Sequence, residues 1–339
     1  MALDASVVIC TRDRAAQLRA ALESACALRI PPGTAWELLV VDNGSGDSTA
    51  ETALSFASRL PLRLVSEPVP SLCPARNRGA AEAKGRYLCW IDDDVLLDPD
   101  WLAAYLAAFR NHPEAAIFGG RILPRLDPPA PAWFARRMYE WPVANLVALR
   151  DMGDEESPVA LEGGRLPWGA NYAIRAEEQK LYAYKPEIGF SPRHVRRTGE
   201  ETDLIYRILR DGGSGWWVPD CRVRHVIPAE RQTLAYLEFY FEQAGRTAAW
   251  LEEHFPGDNA NAVYGRPAFD VMPDPVLRLV AAGSGLVSRA AALAGLERAA
   301  LRFRARGAYY GGVAGHRHDR TEPARRLTGA GAPRIEEVR

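Results

Sequence analysis

Residues Cys89-Trp90-Ile91-Asp92-Asp93-Asp94 join an apolar run to three consecutive carboxylates, and few folds can hold that combination. Tyr87 to Ile91 reads as a strand covered on both faces, since a short continuous apolar run bounded by turn signals suits a buried strand. Like charges can follow such a strand only where it ends and water or a cation reaches them. If side chains alternate along the run, Asp92 and Asp94 face one way and Asp93 the other. Two carboxylates aimed at one point repel unless a cation lies between them. Hard divalent ions such as Mg2+ or Mn2+ take oxygen ligands and often bridge protein carboxylates to phosphates. A solvated acidic turn is the plain alternative for an isolated run of three Asp; the position at the end of a buried strand favours the cation.

The flanking sequence repeats the pattern of strand, turn and helix. Ser6–Cys10, Glu37–Asp42 and Leu62–Val65 are apolar strand-like runs, and each is followed by a segment with helical spacing or capping signals. Arg14 to Leu28 carries Leu18, Leu22, Ala25 and Leu28 on one helical face; Pro74 opens another helix and Gly85 closes it. Asp98 and Pro99 open a helix containing Trp101, Leu102, Tyr105, Leu106 and Phe109, and a further strand starts at Ile117. This order predicts an α/β fold with a mostly parallel mixed sheet flanked by helices. In such sheets ligands bind beyond the carboxyl ends of the strands. Asp42 and Asp92 both fall there, which independently marks them as site residues.

Beyond residue 123 the pattern loosens. Residues 124–131 read as a loop, and 132–165 as either a surface subregion or an insertion specific to a substrate. Glu201–Arg210 is a helix ended by Gly212-Gly213, and Trp216–Val218 and Val223–Ile227 read as a closing pair of short strands. A helix over 232–254 and a helical stretch over 275–306, rich in Ala, Leu and Arg, suggest a core domain over 1–250 and a helical C-terminal extension over 251–339. The 275–306 stretch either packs on its own domain, the preferred reading, or makes a peripheral contact with a membrane surface. The tail beyond Gly307 is expected to fray.

Formal net charge is −1, so no global field draws the chain toward nucleic acid. Five cysteines, an odd number without paired-motif spacing, suit a reducing compartment. The N-terminus shows no signal-peptide pattern, and no stretch of about eighteen residues is free of charge. The expected location is cytoplasmic, with peripheral attachment to the inner membrane face as a variant.

The motifs occur in a characteristic order. Thr11-Arg12 follows the first strand, Asp42-Asn43-Gly44-Ser45 the second, and Arg76-Asn77 lies in the third helix. Asp92-Asp93-Asp94, Trp168-Gly169-Ala170-Asn171, Gly199-Glu200-Glu201-Thr202-Asp203-Leu204, His225 and Arg231 come after. From the first strand to about residue 250 the chain resembles the inverting family 2 glycosyltransferases of the GT-A fold. The resemblance rests on the joint order of motifs, none decisive singly. It implies transfer of a sugar from a nucleotide-diphosphate donor to an acceptor hydroxyl, in surface polysaccharide, lipid-linked glycan or glycosylated-metabolite synthesis. A UDP-sugar is favoured as donor, with GDP- and dTDP-sugars as alternatives, and the acceptor is a sugar, a lipid-linked glycan or a small molecule.

By the same resemblance Asp92 and Asp94 form a DxD-type pair for Mg2+ or Mn2+, with His225 as a third ligand. Thr11, Arg12, Asp42, Arg76, Asp92, Asp93 and Arg231 would bind the donor, and Trp168, Gly169, Asn171 and Glu200 would face the acceptor. The string Gly199 to Leu204 resembles a Gly-Glu-Asp-x-Asp-Leu pattern whose middle acid is the base. That position is Glu201 here, with Asp203 as its competitor. Helix-opening acids also serve simply as dipole partners, and Asp42 could be no more than a turn cap. A Gly-x-Gly-x-x-Gly dehydrogenase turn, a Gly-rich nucleotidyltransferase loop and a first-strand phosphatase motif are absent. The reading from a different class is a GT-A relative that binds a nucleotide sugar or carbohydrate without turnover.

Overall fold

The computed structural model describes residues 3–126, 130–161, 164–186, 199–254 and 273–321. The chain packs as two compact units, Met1–Arg125 with Ala148–Val226, and Leu126–Val147 with Ile227–Arg339. The second unit claims an excursion from the middle of the chain and the whole helix that ends at His254.

In the first unit, β1 (Leu3–Thr11), β2 (Trp36–Asp42), β3 (Leu62–Ser66) and β4 (Gly85–Asp92) lie parallel in the order β3-β2-β1-β4. Helices α1 (Ala15–Ala25), α2 (Thr49–Leu54) and α3 (Leu72–Glu82) connect them. Val7, Val8 and Ile9 of β1 and Leu38, Leu39, Val40 and Val41 of β2 have no solvent exposure, as unbroken apolar runs require when helices cover both faces. Side chains from these central strands form the core, with Trp101, Leu102, Tyr105, Leu106 and Phe109 of α4 (Trp101–Asn111) packed against them.

The sheet then turns mixed. Short β5 (Val95–Leu97) follows the acidic run, and the order past β4 continues through β8 (Asn171–Arg175), β6 (Ile117–Leu126) and β9 (Gly215–Ile227) to β5, with β7 (Ser157–Pro158) beside β9. The antiparallel β4–β8, β6–β8 and β5–β9 pairs make the sheet less parallel than its first half implies. The two expected closing strands are one thirteen-residue strand, β9. Helix α7 (Ala176–Leu181) follows β8, and α8 (Glu200–Arg210) precedes β9.

The second unit holds α5 (Ala132–Arg137), α6 (Val143–Leu146), α9 (Leu234–His254), α10 (Asp274–Leu293) and α11 (Glu297–Thr321). The 275–306 stretch is thus two helices. The break falls at Ala294–Leu296, where Gly295 takes φ +72°, a left-handed conformation that glycine adopts freely. Close packing of α9 on α11 uses glycine: a Cβ on Gly245 or Gly312 would fall 2.0 Å from the Tyr309 or Glu242 carbonyl oxygen. Among the described residues α10 is long and apolar enough to cross a bilayer by length and composition alone. The charge count set this stretch aside because of Arg278 and Arg289.

One side chain braces the mixed half of the sheet. Asn171, with no solvent exposure, accepts from the Trp101 indole N–H at 2.8 Å and the Tyr105 hydroxyl at 2.9 Å. Its amide donates to the carbonyls of Arg121 at 3.1 Å and Cys221 at 2.7 Å. It therefore ties α4, β6 and β9 to β8, and its hydrogen-bonding groups are engaged within the protein rather than turned to an acceptor sugar. Asn171→Leu leaves two donors and two acceptors buried without partners; each such group costs about 1–3 kcal/mol. We expect urea denaturation to show a loss of at least about 3 kcal/mol, with nucleotide affinity of the folded fraction unchanged.

Candidate active site

The acidic run sits where β4 gives way to a turn. Strand pairing ends at Asp92, and Asp93 and Asp94 form the turn that leads into β5. Strand alternation does not reach them, so the expected pairing of Asp92 with Asp94 is replaced by another. Asp93 and Asp94 are both buried and both grip Arg14, from Nε to Asp93 Oδ1 at 3.0 Å and from Nη2 to Asp94 Oδ2 at 2.8 Å. The Thr11 hydroxyl donates to Asp93 Oδ2 at 2.7 Å. Thr11 is thus turned toward the acids, and Arg12, exposed, pairs with Asp13 at 3.4 Å. Burial pushes Asp93 up to about 7; Arg14 pulls it back, and Asp94 adds to the rise.

His225 reaches the run through the sheet. The β5–β9 register sets Val95 opposite His225, and the Val226 N–H donates to the Asp94 carbonyl at 2.8 Å. His225 Nε2 lies 3.3 Å from Asp94 Oδ1, and both side chains are buried. Asp92, part-exposed, turns instead to Arg76, whose Nη2 is 3.4 Å from its Oδ1.

Arg76 is the hub of the second cluster. Its guanidinium is buried, 3.1 Å from Glu200 Oε1 and 3.3 Å from the Tyr172 hydroxyl, with the Tyr184 ring 5.5 Å away. Such burial is tolerable only because the acids around it, Glu200 and Asp92, hold it protonated. Helix α8 supplies Glu200, Glu201 and Asp203 in its first turn, after Gly199 at φ +99°. The three acids meet different fates. Glu200 is buried on Arg76. Asp203 has no exposed surface and lies between Lys185 Nζ at 3.2 Å and Arg207 Nη2 at 2.8 Å. Glu201 stays part-exposed, and its Oε1 accepts from the Gly169 N–H at 3.2 Å. Burial, then the neighbouring Glu200, pushes Glu201 up to about 7 against the pull of Arg76. A partly exposed carboxyl with a raised pKa, outside any ion pair, distinguishes Glu201 from Asp203, which is locked between Lys185 and Arg207.

The remaining candidates are scattered in role. Asp42 Oδ1 accepts from the Ser45 N–H at 3.1 Å and from its hydroxyl, a turn-capping arrangement. Asn43 holds the 67–71 loop through the Glu67 and Val69 carbonyls and the Ser71 N–H. Trp168 is half-buried on the core, with the Arg150 guanidinium over its ring at 5.3 Å. Gly169 leaves no room for a side chain: a Cβ would lie 3.2 Å from both Arg76 Nη2 and Glu201 Cδ. Arg231 belongs to the second unit, where it lies over the Tyr236 ring. Arg14 is the residue the motifs did not single out. Its signal was its position, two residues beyond Arg12 and at the start of α1.

Residues 6–161 match the family model "Glycosyl transferase family 2". The chain is 25% identical over 250 residues to the succinoglycan biosynthesis protein ExoM of Rhizobium meliloti, covering 72% of this chain and 74% of that protein. It is 25% identical over 265 residues to the glucosyl-dolichyl phosphate glucuronosyltransferase of Haloferax volcanii, covering 76% and 80%. Among solved structures, the mannosyltransferase PcManGT of Pyrobaculum calidifontis, in complex with GDP-Man and Mn2+, superposes with a TM-score of 0.63 at 17% identity, covering 96% of this chain and 88% of that one. S. aureus TarS with UDP-GlcNAc gives a TM-score of 0.54 at 14% identity, covering 95% and 92%. The fold is of the GT-A type.

Removing Arg76 strands Glu200 in the interior. Arg76→Ala is expected to cost about 3–5 kcal/mol in urea unfolding. Arg76→Lys should recover less than half of that, since one ammonium cannot span Asp92, Glu200 and Tyr172 together.

Proposed function

We propose that the chain is an inverting glycosyltransferase that moves a sugar from a nucleotide-diphosphate donor to an acceptor hydroxyl during polysaccharide or lipid-linked glycan assembly. The observation that carries this reading is the division of labour on α8: Glu201 alone of its three acids is part-exposed, raised to about 7 and fixed by a backbone N–H. A general base works best with a pKa near the operating pH. The acceptor oxygen attacks the anomeric carbon from the face opposite the diphosphate, its proton passes to Glu201, and the bond to the diphosphate oxygen breaks with its electron pair. Gly169, without a side chain, lets the Glu201 carboxylate and Arg76 close on the backbone there, which holds the base in place.

The donor set suits a divalent cation. Two neighbouring ligands of an octahedral ion at 2.0–2.2 Å are about 3 Å apart, and Asp94 Oδ1 and His225 Nε2 stand at 3.3 Å. Among the described residues no group of three His, Cys, Asp or Glu side chains forms a metal cluster; an ion here would take its other ligands from substrate phosphates and water. Asp94 and His225 would hold it, and charge developing on the diphosphate would be neutralised there. Arg14 keeps Asp93 and the second Asp94 oxygen compensated meanwhile. The relatives named for succinoglycan biosynthesis and for glucosyl-dolichyl phosphate support a polysaccharide or lipid-linked glycan context, and the neighbours solved with GDP-Man and UDP-GlcNAc support a nucleotide-sugar donor.

Thermal unfolding with UDP, GDP, dTDP and CMP, each with Mn2+ or chelator, tests the donor site. One nucleotide diphosphate should raise the midpoint only with metal, the fold being stabilised by about 2.7 kcal/mol at a hundredfold excess over Kd. Asp94→Ala should abolish the metal-dependent part, and stabilisation that survives chelation would falsify the assigned metal role. For the base, Glu201→Gln is expected to keep donor binding and lower kcat by about 10²–10⁴. Wild-type kcat/KM should fall as pH drops through about 7, because a protonated Glu201 cannot take the acceptor proton. Asp203→Asn should lower stability without that selective loss; the opposite result moves the base to Asp203. Nucleotide binding without transfer to any acceptor would indicate the non-catalytic relative.

A further inference from the structure

The second unit presents a surface that sugar transfer does not account for. Helix α10 buries Leu277, Ser288 and Ala291, with the Ser288 hydroxyl donating to the Ala300 carbonyl of α11 at 2.8 Å. Small residues let the two helices approach closely, as at Gly307, where a Cβ would lie 3.1 Å from the Ala281 carbonyl oxygen. The opposite face is apolar and open. Val276, Leu279, Leu286, Val287 and Leu293 fall within an arc of about 120°, and Leu279 is 73% and Leu293 91% exposed. Arg278 and Arg289, both exposed, flank that arc on one side. An isolated exposed leucine is ordinary, but a continuous stripe of them along a helix marks an interaction surface.

A basic cleft lies at the end of the stripe. Arg137, Arg298, Arg302 and Arg306 line a cavity of about 640 Å³ together with Leu296 and Phe303. The acids beside it are Glu140, paired with Arg137 and Arg298, and Glu297, paired with Arg136 and Arg137. Five guanidiniums therefore face two carboxylates. An apolar stripe continuous with an excess of cations is the pattern of a helix lying in the interface of an anionic bilayer.

We propose that α10 and the start of α11 dock this chain on an anionic lipid surface. The stripe sinks among the acyl chains, and the Arg137, Arg298, Arg302 and Arg306 cleft takes lipid phosphates. Length and composition alone would let α10 span a bilayer. Its buried face, however, is fixed to α11, which carries Arg298, Arg302, Arg304 and Arg306, and burying those charges in hydrocarbon is costly. A helix lying in the interface satisfies both faces. This inference is independent of the transfer reaction.

Flotation of the full chain with phosphatidylglycerol-rich vesicles and with pure phosphatidylcholine vesicles tests it. Wild type should bind the anionic vesicles about tenfold or more tightly than the neutral ones, and added salt should weaken that binding. Leu279→Ser with Leu286→Ser should weaken binding about tenfold or more, and Arg302→Gln with Arg306→Gln about thirtyfold. Circular dichroism and the thermal midpoint of both variants should match wild type, since these side chains point away from the core. Three results overturn the proposal: wild type that fails to float with anionic vesicles, variants that float as well as wild type, or self-association in light scattering that the leucine pair abolishes while vesicles bind nothing. The last would assign the stripe to a second copy of the chain.

Discussion

Five carboxylates, Asp92, Asp93, Asp94, Glu200 and Glu201, are gathered beyond the carboxyl ends of the parallel strands, and two guanidiniums make that gathering possible. Arg14, from the start of α1, holds Asp93 and Asp94; Arg76, from within α3, holds Asp92 and Glu200. Like charges this close in a low-dielectric setting would otherwise force one another to protonate. The elements that carry the two arginines are consequently fixed as well. The turn after β1 must bring Arg14 over the β4–β5 turn, and α3 must lean its middle toward α8. Glu201 is the acid outside both pairs; burial first, and then the neighbouring Glu200, raise its pKa, with only part of Arg76's field to offset them.

The parallel half of the fold was legible because its signals are strong and local. Largely apolar runs of four to six residues, most of them ended by Ser or Asp, can be little other than covered strands in alternation with helices. The antiparallel half was not, because β6, β8 and β9 are joined by long segments whose sequence carries no code for strand order. Reading Trp216–Val218 and Val223–Ile227 as separate strands followed from Pro219 and Asp220 between them, residues that usually interrupt strands. Here the strand runs through both, with Asp220 exposed. The break at Gly295 went unseen since Ala and Leu on either side have high helix propensity, and one glycine in such a stretch reads as tolerated.

Within the site, identity was easier to read than direction. The acids, Arg76, His225 and Glu201 stand in motifs whose chemistry constrains residue type. Orientation depended on where β4 stops, two residues short of Asp94, and the partners that hold the turn there, Arg14 and the β5–β9 ladder, are invisible in a local window. Asn171 shows the same limit: an amide at the start of a strand looks like a sugar contact until Trp101, Tyr105 and two carbonyls are found around it. Asp203 and Glu201 are two residues apart on one helix, hence about 200° apart around its axis, and only one can face the opening.

The contact between Glu201 and the Gly169 N–H has an evolutionary corollary. A side-chain donor at that point could be lost by any of several codon changes, whereas a peptide N–H survives every replacement except proline. The orientation of the carboxylate is thus insulated from drift at position 169. The empty space beside it is not, because even alanine would press on Arg76 and Glu201. Position 169 is therefore constrained by volume rather than by side-chain chemistry: any added side chain must displace Arg76 or Glu201 before it alters the hydrogen bond itself.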